Sequence, residues 1–297
     1  MDRPEATLNK SVGEGGRVPG GYVPNVVALL RPERAVLIEL LATLTAEQWS
    51  TSTECPAWTV QGIALHLLGD DVSLLARQRD AATSGLLLYA YDHPGQNFRQ
   101  LLNGFNEQWV SASLFTSGPL LMQLLSATGQ WTTEFYESVD LNGLGEPVGM
   151  FGVSDASPYW QIIAREYVER WAHQHQIRRA VGAPELGAEF LLGAANVIAA
   201  TLAPAMAGIV AEDGHAISVE IPDVGCWTYE SANGTWGVEP SHSSPEGPRL
   251  TLDRGDATLV LSRGLDRTGV LESFRASGDD PVAAAMKLLL SGILARP

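Results

Sequence analysis

Apolar residues recur at helical spacing through the first 210 positions of the chain and change to strand-like alternation beyond them. Residues 26–44 read as a first amphipathic helix, with Leu29, Leu30, Ala35, Val36, Ile38, Leu41 and Leu44 facing a core. Arg31-Pro32 is expected to break its start and move the true beginning to Glu33. Thr45-Ala46-Glu47-Gln48 has the form of a capping box. Cys55-Pro56-Ala57-Trp58 reads as a turn, after which Thr59 caps a long helix over 60–82. Residues 84–96 read as a loop, 98–112 and 119–139 as helices, the second capped by Ser117. The Gly-rich stretch 140–155, with Pro147, Met150 and Phe151, reads as an irregular loop suited to lining a pocket. A helix over 157–181 follows, opened by Ser157-Pro158 and stopped by Gly182 and Pro184. The last of the helical series, 188–210, is bent or ended by Pro204.

Strand patterns then occupy 216–221, 227–231, 235–239 and 249–252, with Asn233-Gly234 as a hairpin signal. Residues 256–262 fit helix or strand, 269–276 read as strand, and Asp280-Pro281 opens a final helix to Leu294. The fold class expected is α plus α+β: a helical domain over 23–212, then a small α+β domain over 213–297. Residues 1–22 are expected to form a loose arm.

One face of the 157–181 helix carries Tyr159, Ile162, Glu166, Glu169, His173, Ile177 and Ala180. It begins and ends apolar, but its middle holds carboxylates and an imidazole. Residues at i and i+4 share a face, so Glu169 and His173 aim at one point. A metal ion is one way to pair such groups when they are buried; on an exposed face they form only a solvated contact. His66 sits inside another helix between Gly62 and Gly69. It reads as a hydrogen-bonded core residue or a ligand. Two glycines beside it imply close approach by a neighbouring helix or a ligand, because each costs about 1 kcal/mol relative to alanine. His175 lies about 200° around the helix from His173 and is expected at the surface. His93, His215 and His242 stand in loops without a partner motif.

Composition narrows the classes. The chain has 297 residues, 45% of them hydrophobic, enough for one large domain or two ordinary ones. A net charge of −15 opposes binding to a phosphate backbone, so no nucleic-acid partner is expected. The most apolar stretch, 191–210, is interrupted by Asn196 and Pro204 and reads as a buried helix, giving no membrane partner. Cys55 and Cys226 are far apart in unlike contexts, which argues against a disulfide framework and fits a reducing cytoplasm. Cys55 reads as a buried free thiol, with a reactive thiol as the alternative.

Three groups of residues together resemble one family. They are Leu41-Ala42-Thr43-Leu44-Thr45-Ala46-Glu47-Gln48-Trp49, then Cys55-Pro56-Ala57-Trp58-Thr59-Val60 with His66-Leu67, and the run from Glu169 through Arg170-Trp171-Ala172-His173 to Gly182. They look like the mycothiol-dependent maleylpyruvate isomerase family, within the DinB-like group of metal-binding four-helix bundles. The tail, with Trp227, Trp236, Leu250-Thr251-Leu252 and Ser277-Gly278-Asp279-Asp280-Pro281, is similar to that family's sterol-carrier-like C-terminal domain. The resemblance implies that His66, Glu169 and His173 hold a divalent metal. Zinc is the expected ion for such a set, with nickel and iron as alternatives. It also implies mycothiol as the thiol co-substrate, a small electrophilic substrate and a cytoplasmic setting. Two positions depart from the family pattern: Gln176 stands where an Asp is usual, and Ala57 where a Gly is usual.

The function expected is therefore a metal- and mycothiol-dependent transferase or isomerase working through a thiol adduct. The cleft between bundle and tail is its expected substrate site, and Arg249, Arg254, Arg263 and Arg275 are candidates to meet an anion there. One alternative is a non-enzymatic module for a small ligand or partner, with the metal structural or absent. A second is a metal hydrolase of the same fold.

Overall fold

The computed structural model describes residues 16–18, 21–148, 156–241 and 246–296. The chain is mostly helical, with a small mixed sheet near the C-terminus. It packs as two compact units, one from residues within Leu30–Asp140 and His173–Glu185, the other from Met1–Leu29, Leu141–Ala172 and Leu186–Pro297.

The first unit is helical. Helix α1 (Val27–Ala42) contains Pro32 without breaking, so the expected start at Glu33 is corrected. Pro32 lies within the early turns, where the missing N–H costs one intrahelical bond and the fixed φ already suits the helix. The short α2 (Ala46–Trp49) carries the expected capping box from Thr45 and Gln48. Helix α3 (Val60–Leu74) is capped by Thr59, whose side chain accepts from the Gly62 N–H, and runs into a π-helical turn at Leu75–Arg79. The segment expected as a loop forms a further helix, α4 (Gly85–Asp92), with Ser84 accepting from the Leu87 N–H. Helices α5 (Phe98–Ser113) and α6 (Gly118–Ser138) follow, the latter capped by Ser117.

The core of this unit is Leu37, Leu41, Val60, Ile63, Leu65, Leu67, Leu121, Leu125 and Ile177, all buried. A charged network crosses it. Arg34 and Asp71, both buried, meet through two contacts of 2.8 and 3.1 Å. Arg34 also donates to the Leu125 carbonyl at 3.0 Å, and the Thr128 hydroxyl donates to Asp71 at 2.7 Å. Buried charge is tolerated here because nearly every polar atom has a partner. Gln174 adds a second buried contact, donating to the Glu33 carboxylate at 2.7 Å.

Helix α7 (Tyr159–Val181) begins one residue after Pro158, and the Ser157 hydroxyl accepts from the Val148 N–H at 3.0 Å. Residues 140–148 are irregular, as expected; Met150 and Phe151 of the same loop lie outside the described residues. Helix α8 (Ala188–Ala205) contains Pro204 near its end and passes into a 3-10 turn at Met206–Gly208. The segment Ala188–Gly208 is long and apolar enough to cross a membrane, yet 78% of its apolar window is buried within the protein.

The sheet has the order β5-β4-β3-β6-β7, with β3 and β6 parallel and the other neighbours antiparallel. Its strands are β3 (Ala216–Ile221), β4 (Gly225–Ala232), β5 (Thr235–Ser241), β6 (Arg249–Leu252) and β7 (Phe274–Ala276). Asn233 and Gly234 take φ of 53° and 73°, which is why this pair makes the β4–β5 turn. Trp227 donates to the Asn196 side chain at 2.9 Å and Tyr229 to the Ala199 carbonyl at 3.1 Å, fastening β4 to α8. Helices α9 (Arg254–Leu261), α10 (Arg267–Ser273) and α11 (Pro281–Leu294) complete the unit. The strand expected over 269–276 is therefore reduced to β7, because Asp266 caps a helix by accepting from the Gly269 N–H. Of the expected arm, β1 (Gly16–Val18) and β2 (Gly21–Val23) pair antiparallel; its other residues lie outside those described.

Candidate metal centre

His66 projects from the middle of α3 and is buried. Both flanking glycines make room for tryptophans. A Cβ on Gly62 would lie 2.9 Å from Trp58 Cβ, and one on Gly69 would lie 2.5 Å from Trp109 Nε1. The Trp58 ring stacks on the His66 imidazole, with centroids 4.6 Å apart. Trp58 is held in turn by Glu107, which accepts from its indole N–H at 3.1 Å. Asp70, one turn beyond His66, places a carboxylate oxygen 3.3 Å from His66 Nε2.

His173 meets His66 edge to face, with ring centroids 4.8 Å apart. Its Nδ1 lies 2.8 Å from Gln176 Oε1. Glu169 stands one turn earlier on α7. One ligand atom from each of His66, Glu169 and His173 lies within 4.8 Å of the others, so the structure brings the three expected residues together.

The donor set fits a divalent ion. In a tetrahedral zinc site, ligand atoms about 2.1 Å from the ion lie about 3.4 Å apart, so a group spread over 4.8 Å closes by up to about 1.4 Å to hold one. Each imidazole has one nitrogen engaged by a polar neighbour, as metal-binding histidines usually have.

Glu166, on the same face in sequence, has a different role. It is buried and pairs with Arg165 and, at 3.9 Å, with Arg170. His175 corrects the surface expectation: it is 2% exposed. Helix α7 buries side chains all round, including Tyr167, Trp171 and Gln174, so an angle of 200° from His173 does not lead to solvent. Burial, with help from Arg179 and Arg178, pushes the His175 imidazole down to about 3 and keeps it neutral.

Other candidates disperse. His93 stacks on Tyr89, His215 lies 3.5 Å from Asp280, and His242 is outside the described residues. Arg249 pairs with Glu220 at 2.9 Å and Arg275 with Asp253 at 2.5 Å. Cys226 is buried while Cys55 is only half-buried, and no disulfide joins them. Asp70 was not among the expected site residues; its place four residues after His66 was the available signal.

A family model described as the mycothiol maleylpyruvate isomerase N-terminal domain matches residues 30–178. The chain is also similar to the solved structure of a mycothiol-dependent maleylpyruvate isomerase, at 10% identity and a TM-score of 0.48, over 86% of this chain and 93% of that one. A histidine-to-alanine mutant of such an isomerase gives 10% identity and a TM-score of 0.47 over the same shares. Comparison with curated proteins gives no match.

Proposed function

The chain belongs to the mycothiol maleylpyruvate isomerase N-terminal domain family, and on that premise we propose a metal-dependent enzyme that uses mycothiol to transfer to, or isomerise, a small electrophile. The observation that carries this reading is the convergence of ligand atoms from His66, Glu169 and His173 within 4.8 Å. A divalent ion held there, zinc first and nickel or iron next, would supply a thiol kept as thiolate near neutral pH.

The protein's own groups supply the rest. His66, Glu169 and His173 are the ligands. Asp70 lies beside the His66 ring, 3.3 Å from Nε2, and Gln176 fixes the His173 ring by accepting at Nδ1. Trp58 covers one face of His66 and shields that side from water, which strengthens every charge interaction inside. Dependence on mycothiol implies a cytoplasmic enzyme. The division into a metal-binding helical domain over 23–212 and a sterol-carrier-like tail over 213–297 is part of the same proposal.

The test is elemental analysis of untagged protein and of His173→Ala. About one divalent ion per chain, lost in the variant, is the expected result. Stoichiometric metal retained by the variant would remove the assignment. Protein that binds neither zinc nor nickel would leave the non-enzymatic module in its place. With metal established, turnover that needs no thiol would favour the hydrolase.

A further inference from the structure

Beside His66 and Asp70 the helical unit holds a partly open cavity of about 220 Å³. Its walls include Trp109 and Phe105 of α5, each closed against a glycine. A Cβ on Gly69 would lie 2.5 Å from Trp109 Nε1, and one on Gly85 would lie 2.9 Å from Phe105 Cζ. Glycine inside a helix is unfavourable by about 1 kcal/mol, so the one at Gly69 is retained against local propensity. What it permits is direct contact between an indole and a helix backbone. The Trp109 N–H donates to the Leu65 carbonyl at 2.7 Å, which fixes the ring plane. The aromatic wall is therefore formed before any ligand arrives, and a preformed wall adds no ordering cost on binding.

Size and charge define the occupant. At about 30 Å³ per water the cavity corresponds to about seven waters, below the roughly 300–1,000 Å³ of drug-sized sites. That is room for one ring and a short tail. The charged lining consists of one carboxylate, Asp70, and one guanidinium, Arg77, whose Nε donates to the Ser73 hydroxyl at 3.2 Å. In the metal-free protein a dianion would meet Asp70 with Arg77 alone to offset it, in a chain of net charge −15.

We propose that this cavity binds an uncharged aromatic group, a single ring with a short side chain. The ring lies against Trp109 and Phe105 and the polar tail points toward His66. This makes the substrate of the neighbouring centre an aryl-bearing electrophile. Only the role as substrate rests on the thiol-dependent reading; the binding does not.

Cinnamyl alcohol, uncharged and unreactive toward thiols, is the probe, and maleate is the dianionic comparator. Calorimetric titration is run on metal-free and zinc-loaded protein, with zinc content measured separately. We expect saturable binding of cinnamyl alcohol to both forms, no displacement by maleate, and at least tenfold weaker binding to Ala76→Trp, which fills the cavity. If Ala76→Trp melts early, Thr83→Trp on the exposed rim takes its place. Absence of saturable binding, unchanged affinity in the folded variant, or displacement by maleate at similar concentration would each overturn the proposal. Protein that binds the alcohol but no zinc loses the enzymatic reading and keeps the cavity. Protein that binds zinc but no alcohol does the reverse.

Discussion

His173 Nδ1 and Gln176 Oε1 stand 2.8 Å apart, three residues along one helix. An amide oxygen can only accept, so this contact requires the proton on Nδ1 and leaves the lone pair on Nε2. The glutamine thereby selects the tautomer that can bind a metal, without adding the negative charge that an aspartate would bring.

Replacing it tests that role. Gln176→Leu should weaken zinc binding by about 10–100-fold, the usual effect of losing such a neighbour. Gln176→Glu should bind at least as tightly as the parent. A competition titration against a chelator reads both. Parent-like affinity in Gln176→Leu would show that the ring is held by packing alone.

Asp71 is completely buried against Arg34 and Thr128. Asp71→Ala strands a buried guanidinium and should cost about 3–5 kcal/mol in urea denaturation. The double variant Arg34→Met/Asp71→Leu removes both charges and should recover most of that loss. A single-variant loss below about 1 kcal/mol would mean that water reaches the site.

Two glycines in helices should respond to alanine with opposite signs. Gly69→Ala gains about 1 kcal/mol in helix propensity but forces its Cβ onto Trp109, at about 1–3 kcal/mol, and loses an indole hydrogen bond worth about 1 kcal/mol. Net destabilisation of about 1–3 kcal/mol is expected. A Cβ on Gly292 meets nothing within 4 Å. Gly292→Ala should stabilise by about 0.5–1 kcal/mol. Thermal melts of the two proteins side by side decide it.

Alkaline stability should depend on Tyr229, whose burial pushes its phenol well above the ordinary value of 10.0. The unfolded chain loses that proton near pH 10 and the folded chain does not. Stability from this group is thus complete below pH 10 and falls above it, by about 1.4 kcal/mol per pH unit. Tyr229→Phe loses the hydrogen bond to Ala199, about 1 kcal/mol at neutral pH, and should show a shallower decline between pH 10 and 11. Parallel declines in the two proteins would assign the alkaline loss elsewhere.

The helical series, the caps at Thr45, Thr59, Ser117 and Asp280, and the Asn233-Gly234 turn were legible because each rests on local chemistry. So was the face that carries Glu169 and His173. Helix α4 was hidden because Leu86, Leu87, Leu88, Tyr89 and Tyr91 give no clear polar face. The burial of His175 was hidden for a different reason. Periodicity separates one face of a helix from another, but a helix buried on all sides gives no polar face to the count. Asp70 and Trp109 matter only through contacts with other helices or with a ring one turn away, and a sequence read element by element does not show such contacts.

The indole of Trp58 lies over the imidazole of His66 at 4.6 Å. An indole so close to an imidazole proposed as a metal ligand should change its emission when an ion binds there. The centre therefore carries its own optical reporter. Trp58 is one of eight tryptophans, so a difference spectrum against Trp58→Phe isolates the signal. Occupancy can then be followed on the millisecond scale in unlabelled protein, before any substrate is known.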